Sequence, residues 1–303
     1  MKLHQLRDVI AVAEAGSLRA ASRKLGMSQS SMTKSIQSLE KEIGAPIFER
    51  QKRGIVLTQL GALFVQRARV ATGELSRARE EVQQHLGGGT GRVVACLSTV
   101  PHMALLPEVL PLFLERYPHV QLSVVEALGF TAAETALRDG EIDFYVGLGP
   151  VLPLQAEFTM EKLFDNERCV VCRKDHPRGS ATTLGELIDA RWSMSSPAFA
   201  DAEFAELFER HELPVPAMRT LGGSILGQIV FVLNSDIFAI VPRQWLDFEP
   251  LQGLIRRVPI KESVGAPAIV LVRRSSLPLT PAAEYFCDLV RRVSGRMPAA
   301  LAA

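Results

Sequence analysis

Gly16-Ser17-Leu18-Arg19-Ala20-Ala21-Ser22-Arg23-Lys24-Leu25-Gly26-Met27-Ser28-Gln29-Ser30-Ser31-Met32-Thr33-Lys34-Ser35-Ile36-Gln37 is the stretch on which the fold turns. Gly16 and Gly26 bracket a short helical pattern from Leu18 to Leu25, which Ser17 is placed to cap. Its Ala20 and Ala21 allow close helix packing. Ser28 caps the next helix, Gln29 to Ile43, whose apolar Met32, Ile36, Leu39 and Ile43 fall four, three and four apart. Two helices around a glycine-containing turn make a helix-turn-helix.

On the N-terminal side, Leu3, Leu6, Val9, Ile10, Val12 and Ala13 mark one more helix, ended by Gly16. On the other side, Pro46 to Leu57 reads as a small hairpin, a wing with its tip at Lys52-Arg53-Gly54. Thr58 then caps a long helix running to about Leu86. Leu60, Phe64, Ala68, Ala71, Leu75, Ala78, Val82 and Leu86 form a stripe along it as narrow as a coiled-coil seam. Gly87-Gly88-Gly89-Thr90-Gly91 is a hinge. These signals divide the chain into a winged helix-turn-helix head (1–58), a linker or dimerisation helix (59–86), the hinge (87–91) and a body (92–303).

In the body the pattern alternates between strand (Arg92–Leu97, Val120–Val125, Ile142–Gly147, Arg168–Cys172) and helix (Pro101–Arg116, Thr131–Arg138). Alternation predicts an α/β fold with a largely parallel sheet.

Charge is divided between these parts. Residues 1–58 hold ten Lys or Arg against five Asp or Glu, a balance of +5; the remaining 24 against 28 give −4, for the total of +1. A basic head on a mildly acidic body suits a protein that meets a polyanion at one end. The 47% hydrophobic and 22% charged residues fit an ordinary globular chain. No run of about eighteen apolar residues occurs, and Met1 to Leu6 lacks a signal-peptide core, so a cytoplasmic protein without a membrane partner is expected. Cys96, Cys169, Cys172 and Cys287 are too few for a disulfide framework. The Cys169-x-x-Cys172 spacing lies in a strand pattern, where residues three apart face opposite sides, so no metal site is expected.

Gln29, Thr33 and Gln37 recur every fourth residue along the polar face of the third helix, as a stripe entering a major groove requires. Either glutamine could read adenine, and the Thr33 methyl a thymine methyl. Lys34, Arg50, Lys52 and Arg53 suit phosphates, and Ser28 and Ser30 suit a phosphate at the helix start.

Leu6, Ala13, Gly16-Ser17, Ala20-Ala21, Leu25, Ser28-Gln29, Ile36, Leu39-Glu40, Gly44, Phe48-Glu49-Arg50, Leu57-Thr58 and Gly61 together resemble the LysR-type regulators. In the body the resemblance continues, more loosely, in Phe113, Tyr117-Pro118, Leu137-Arg138-Asp139-Gly140, Ile142-Asp143 and His176-Pro177. The resemblance implies an all-α, winged head, with Ser17 and Ser31 joining its DNA-contacting set. It also implies a body like a periplasmic binding protein, with lobe I at about 92–163 plus 266–303 and lobe II at about 164–265. It further implies a dimer through the linker helix, a tetramer that bends DNA at an interrupted inverted repeat, and RNA polymerase as a possible contact. Ser30-Ser31 stand where the family usually has Pro-Ala, and Thr33 where it usually has serine, which bears on base preference.

The cleft such a body implies would be lined by Ser98 and Thr99 at a strand end before a helix, by Phe130 and Thr131, by Ser195 and Ser196, and by Gly223 and Ser224. Hydroxyls and helix ends suit a carboxylate or sulfonate, and Phe130 an aromatic body, so a small organic-acid effector is expected. No catalytic constellation or cofactor motif emerges. Asp139, Glu141 and Asp143 read as surface charge where a helix enters a strand. Two alternatives are an enzyme on a borrowed binding-protein body and a thiol-redox regulator of the same family, which would need approachable cysteines of low pKa.

Overall fold

The computed structural model describes all of residues 1–303 except 52–53, 87–89, 195–196, 218, 222–223 and 298–303. The head contains α1 (Leu3–Ala15), α2 (Leu18–Lys24), α3 (Gln29–Ile43) and a hairpin of β1 (Phe48–Gln51) and β2 (Gly54–Leu57). Its core gathers Leu6, Val9 and Val12 from α1, Ala21 from α2, Met32, Ile36 and Leu39 from α3, and Ile47 before the wing. Ile43, expected on the buried stripe, is 39% exposed, because Gly44 turns into the left-handed region and ends the helix there.

The long helix α4 (Gln59–His85) starts at Thr58, whose hydroxyl accepts from the Gly61 N–H (2.9 Å). Its first turns belong to the head: Val65 and Ala68 are buried in that core and Phe64 packs against it. The predicted seam is therefore split. Phe64 and Ala68 face the head, whereas Ala71, Leu75, Ala78, Val82 and Leu86 stay exposed along the rest of the helix.

The first lobe opens with β3 (Gly91–Leu97), α5 (Thr99–Ala104), α6 (Leu106–Arg116), β4 (Val120–Glu126), α7 (Phe130–Arg138), β5 (Phe144–Leu148) and β6 (Phe158–Phe164). One helix was expected over Pro101–Arg116, and there are two. An unbroken helix would need an N–H on Pro107 and would press its ring onto the Met103 carbonyl, so the chain breaks at Leu105.

The second lobe holds β7 (Arg168–Arg173), β8 (Arg191–Met194), α8 (Pro197–Glu209), β9 (Arg219–Leu221), α9 (Ile225–Asn234), β10 (Ile237–Pro242), α10 (Gln244–Asp247) and β11 (Ile255–Arg257). The chain then returns to the first lobe as β12 (Ile269–Arg274) and α11 (Pro281–Ser294).

Both sheets are five-stranded, ordered β4-β3-β5-β12-β6 and β11-β7-β10-β8-β9. In the first, β3 runs parallel to β4 and β5, but β12 is antiparallel to β5 and β6. In the second, β8 is parallel to β9 and β10, but β7 is antiparallel to β10 and β11. The expected largely parallel sheet is corrected to two mixed ones, because segments crossing between lobes enter against the local direction.

Each sheet is covered on both faces. Phe286 packs against Phe113 and Phe144, with ring centroids 5.4 Å apart in each case, in one core of the first lobe, and Trp192 meets Phe204 and Phe208 in the second. Each such side chain contributes roughly 1.5–3 kcal/mol by burial.

The linker helix is also fastened to the first lobe. The Arg77 guanidinium donates to Asp143 (2.9 Å) and to the Gly140 carbonyl, and pairs with Glu74 (2.7 Å), which in turn binds Arg274 (2.7 Å). Gln66 donates to both carboxylate oxygens of Asp139 (2.9 and 3.0 Å). Asp143 is only 6% exposed and also accepts from the Val94 N–H (2.7 Å). Reading Asp143 as surface charge is thereby corrected, since packing of α4 covers it; Asp139 is half-buried under Gln66, and Glu141 is exposed as expected.

Candidate nucleic-acid interface and effector cleft

On α3 the apolar side fastens the helix and the polar side is left open. Gln29, Ser30, Ser31, Lys34 and Gln37 are exposed and Thr33 half-buried, on the side away from Met32, Ile36 and Leu39. The Ser28 hydroxyl caps the helix, accepting from the Ser31 N–H (3.1 Å), and also lies in hydrogen-bond reach of the Ser30 and Ser31 hydroxyls (3.0 and 2.8 Å). The Thr33 hydroxyl donates back to the Gln29 carbonyl (2.9 Å), so that oxygen is already engaged within the helix. Ser17 spends its hydroxyl capping α2, accepting from the Ala20 N–H (3.1 Å). Arg50 stands in β1 opposite Ile55 of β2. Lys52 and Arg53 lie outside the described residues.

Two acidic residues that periodicity does not single out hold this face in place. Asp8, fully buried on α1, accepts from the Ser35 hydroxyl (2.6 Å) and so ties α1 to α3. The Glu40 carboxylate accepts from the N–H groups of Ile47 and Phe48 (2.8 and 3.2 Å), locking the end of α3 to the start of the wing.

Between the lobes lies a cavity of about 640 Å³. Ser98, Thr99, Phe130 and Thr131 are among the residues that line it. Ser195, Ser196 and Gly223 lie outside the described residues. Ser224 is not among the lining residues: its hydroxyl caps α9 by accepting from the Gly227 N–H (3.1 Å), and Ile225 and Gln228 face the cavity instead. Phe130 is a core ring first, edge-on to Tyr145 and Phe158 at 5.6 Å. The helix after Ser98 has only six residues, too short for the anion-holding terminus expected of a long one.

Polar groups that the sequence did not single out sharpen the cleft. Asn166 and Ser193 line it, both more than nine-tenths buried, and among the described residues neither the Asn166 amide atoms nor the Ser193 hydroxyl has a partner. Ser98 is 2% exposed; its hydroxyl lies against the Tyr145 phenol without a well-aligned partner, while that phenol donates to the Leu148 carbonyl (3.1 Å). Arg168 brings a cation to the same wall, held by Glu203 of α8. Gly147 makes room for this group: a Cβ there would lie 2.3 Å from the Tyr145 hydroxyl and 2.7 Å from the Ser98 Cβ. A buried polar atom without a partner costs about 1–3 kcal/mol, so several of them around one cavity mark a place built for a guest. An isolated asparagine in the crossing from β6 to β7 carries no sequence signal that could have revealed this.

All four thiols are buried. Burial pushes Cys96, Cys169 and Cys172 up to about 11, and Cys287 well above the ordinary thiol range. Cys169 and Cys172 enter different cores on opposite faces of β7, as the strand reading predicted. Among the described residues, no group of His, Cys, Asp and Glu is arranged to hold a metal ion, and no helix is long and apolar enough to cross a membrane.

A winged head with an open polar helix, carried on a long helix from two α/β lobes around a cleft, is the build of a ligand-responsive DNA-binding regulator. The chain belongs to the LysR family: the bacterial regulatory helix-turn-helix domain of that family matches residues 3–62, and the LysR substrate-binding domain residues 87–295. It is therefore a transcription regulator by family, not an enzyme. It is 28% identical over 299 residues to the Hca operon transcriptional activator HcaR of Escherichia coli, covering 96% of this chain and 97% of that one. It is 26% identical over 298 residues to the regulator GbpR of Azospirillum brasilense, covering 97% and 87%. In fold it is similar to full-length CbnR complexed with its target DNA, with TM-score 0.70 and 22% identity over 97% of this chain and 100% of that one.

Proposed function

We propose that the chain reads double-stranded DNA through α3 and the wing, and that a small organic acid bound between the lobes modulates that binding. One observation carries the DNA reading. The side of α3 opposite its buried anchor is an unbroken polar face with Gln29, Thr33 and Gln37 in line. On this reading Gln29 and Gln37 meet base edges, Thr33 offers its methyl, and Lys34 and Arg50, with Lys52 and Arg53, hold phosphates. Ser28, Ser30 and Ser31 present hydroxyls at the helix start. Ser17, already used as a cap, presents the α2 terminus more than its own oxygen.

For the effector, the unpartnered Asn166 and Ser193 and the cation of Arg168 favour a ligand that brings hydrogen-bonding oxygen and negative charge. The exposed apolar run on α4 supports pairing of two chains, which would set two heads on an interrupted inverted repeat. A tetramer, contact with RNA polymerase and a cytoplasmic setting complete the reading. Mobility-shift assays with DNA upstream of its own gene, run from low to moderate salt, test it. Binding should fall steeply as salt rises, and an organic acid should shift the pattern. Unchanged DNA mobility at low salt would refute the proposal.

A further inference from the structure

The guest of the cleft has a rival built into the chain. Arg168 begins β7, its side chain is 16% exposed, and the Glu203 carboxylate of α8 lies on its guanidinium. A half-buried cation needs a counter-charge, and in the empty cleft Glu203 supplies it. Both side chains line the cavity that also holds Asn166 and Ser193, whose side-chain polar atoms have no partner among the described residues. A ligand carboxylate entering there meets a cation already neutralised.

Exposure decides which partner can leave. The Glu203 side chain is 34% exposed against 16% for Arg168, so the carboxylate can turn to water at modest cost while the guanidinium cannot. The helix carrying Glu203 does not need the ion pair to stay in place, because Phe204, Leu207 and Phe208 anchor it in the second-lobe core. We infer that Glu203 occupies the anion seat of the empty cleft, and that the effector is a carboxylate which replaces it on Arg168. This rests on the organic-acid reading proposed above and adds a competitor to it. Glu203 then sets a threshold: it lowers affinity for every carboxylate by about the same factor and leaves neutral ligands untouched. Displacing it frees one tie between α8 and β7, so binding of the acid is felt inside the second lobe.

Calorimetric titration of the full-length chain tests this with benzoate, phenylacetate and hexanoate, each beside its primary amide. In Glu203→Gln, which keeps size and shape, any acid that binds the native chain should bind about tenfold tighter, with the amides unchanged. Glu203→Ala should do the same, and Arg168→Gln should lose the preference for acid over amide. Acids binding the native chain but no tighter, or more weakly, in both Glu203 variants would overturn the inference and leave the organic-acid reading standing. No acid binding to the native chain or to either variant would overturn both.

Discussion

Gly61 shows how one missing atom fixes the head. A Cβ at this position would lie 1.9 Å from the Ile47 carbonyl oxygen, and that oxygen is held by the Thr58 N–H (3.0 Å). Helix propensity favours alanine over glycine by about 1 kcal/mol, but the overlap is with backbone and cannot be relieved by a rotamer. Gly61→Ala should therefore destabilise the head by roughly 1–3 kcal/mol and weaken DNA binding; a thermal melt unchanged or raised would show the contact to be looser.

Asp143 is the opposite case, a residue whose role its neighbours in sequence conceal. It sits in a run with Asp139 and Glu141 that looks solvated, and only the arrival of α4 buries it between Val94 and Arg77. Asp143→Ala should cost about 3 kcal/mol in urea unfolding, since it leaves the buried Val94 N–H without its acceptor and takes from Arg77 one of its two carboxylates; a loss within about 0.5 kcal/mol would mark the pair as peripheral. For the thiols the sign is simple: with pKa near 11, about one in a thousand of Cys96, Cys169 or Cys172 is ionised at pH 8. Alkylation by iodoacetamide at pH 8 should be slow until the chain unfolds, and DNA binding should survive mild peroxide. Fast alkylation of the folded chain would reopen a redox role.

At the scale of elements, local periodicity made α1 to α4 and the wing legible, because caps and glycine stops sit in the sequence itself. It could not show that α4 serves two masters. Its first turns are head core, and its later turns carry Leu75, Val82 and Leu86 at 55%, 56% and 76% exposed. The same helix binds the first lobe through Arg77 on another face, which leaves the apolar run free for a second chain. Replacing Leu75 and Val82 with aspartate should shift sedimentation equilibrium from dimer or larger toward monomer without lowering helix content. Undiminished association would place the dimer contact elsewhere. Strand direction was illegible for a different reason: alternation records which segments are strands, whereas β12 owes its antiparallel course to a return from the other lobe. The Leu105 break lay in plain view as Pro107, whose missing N–H outweighs the helical pattern around it.

For the whole molecule, the division of charge remains the simplest guide: a head at +5 on a body at −4. Such a chain is drawn to DNA by one end, while the other carries the substrate-binding lobes. The cleft was legible only in outline, since Ser98 and Thr99 stand at a strand end, whereas Asn166, Arg168, Ser193 and Glu203 lie far apart in sequence and come together only when the second lobe folds.

The account depends most on the polar face of α3. Fluorescence anisotropy with DNA upstream of the chain's own gene and with an unrelated duplex, across a salt series, tests it directly. Replacing Gln29, Thr33 and Gln37 together with alanine should abolish the preference for the upstream DNA while leaving the salt dependence nearly intact. A triple variant that keeps its preference would contradict the account.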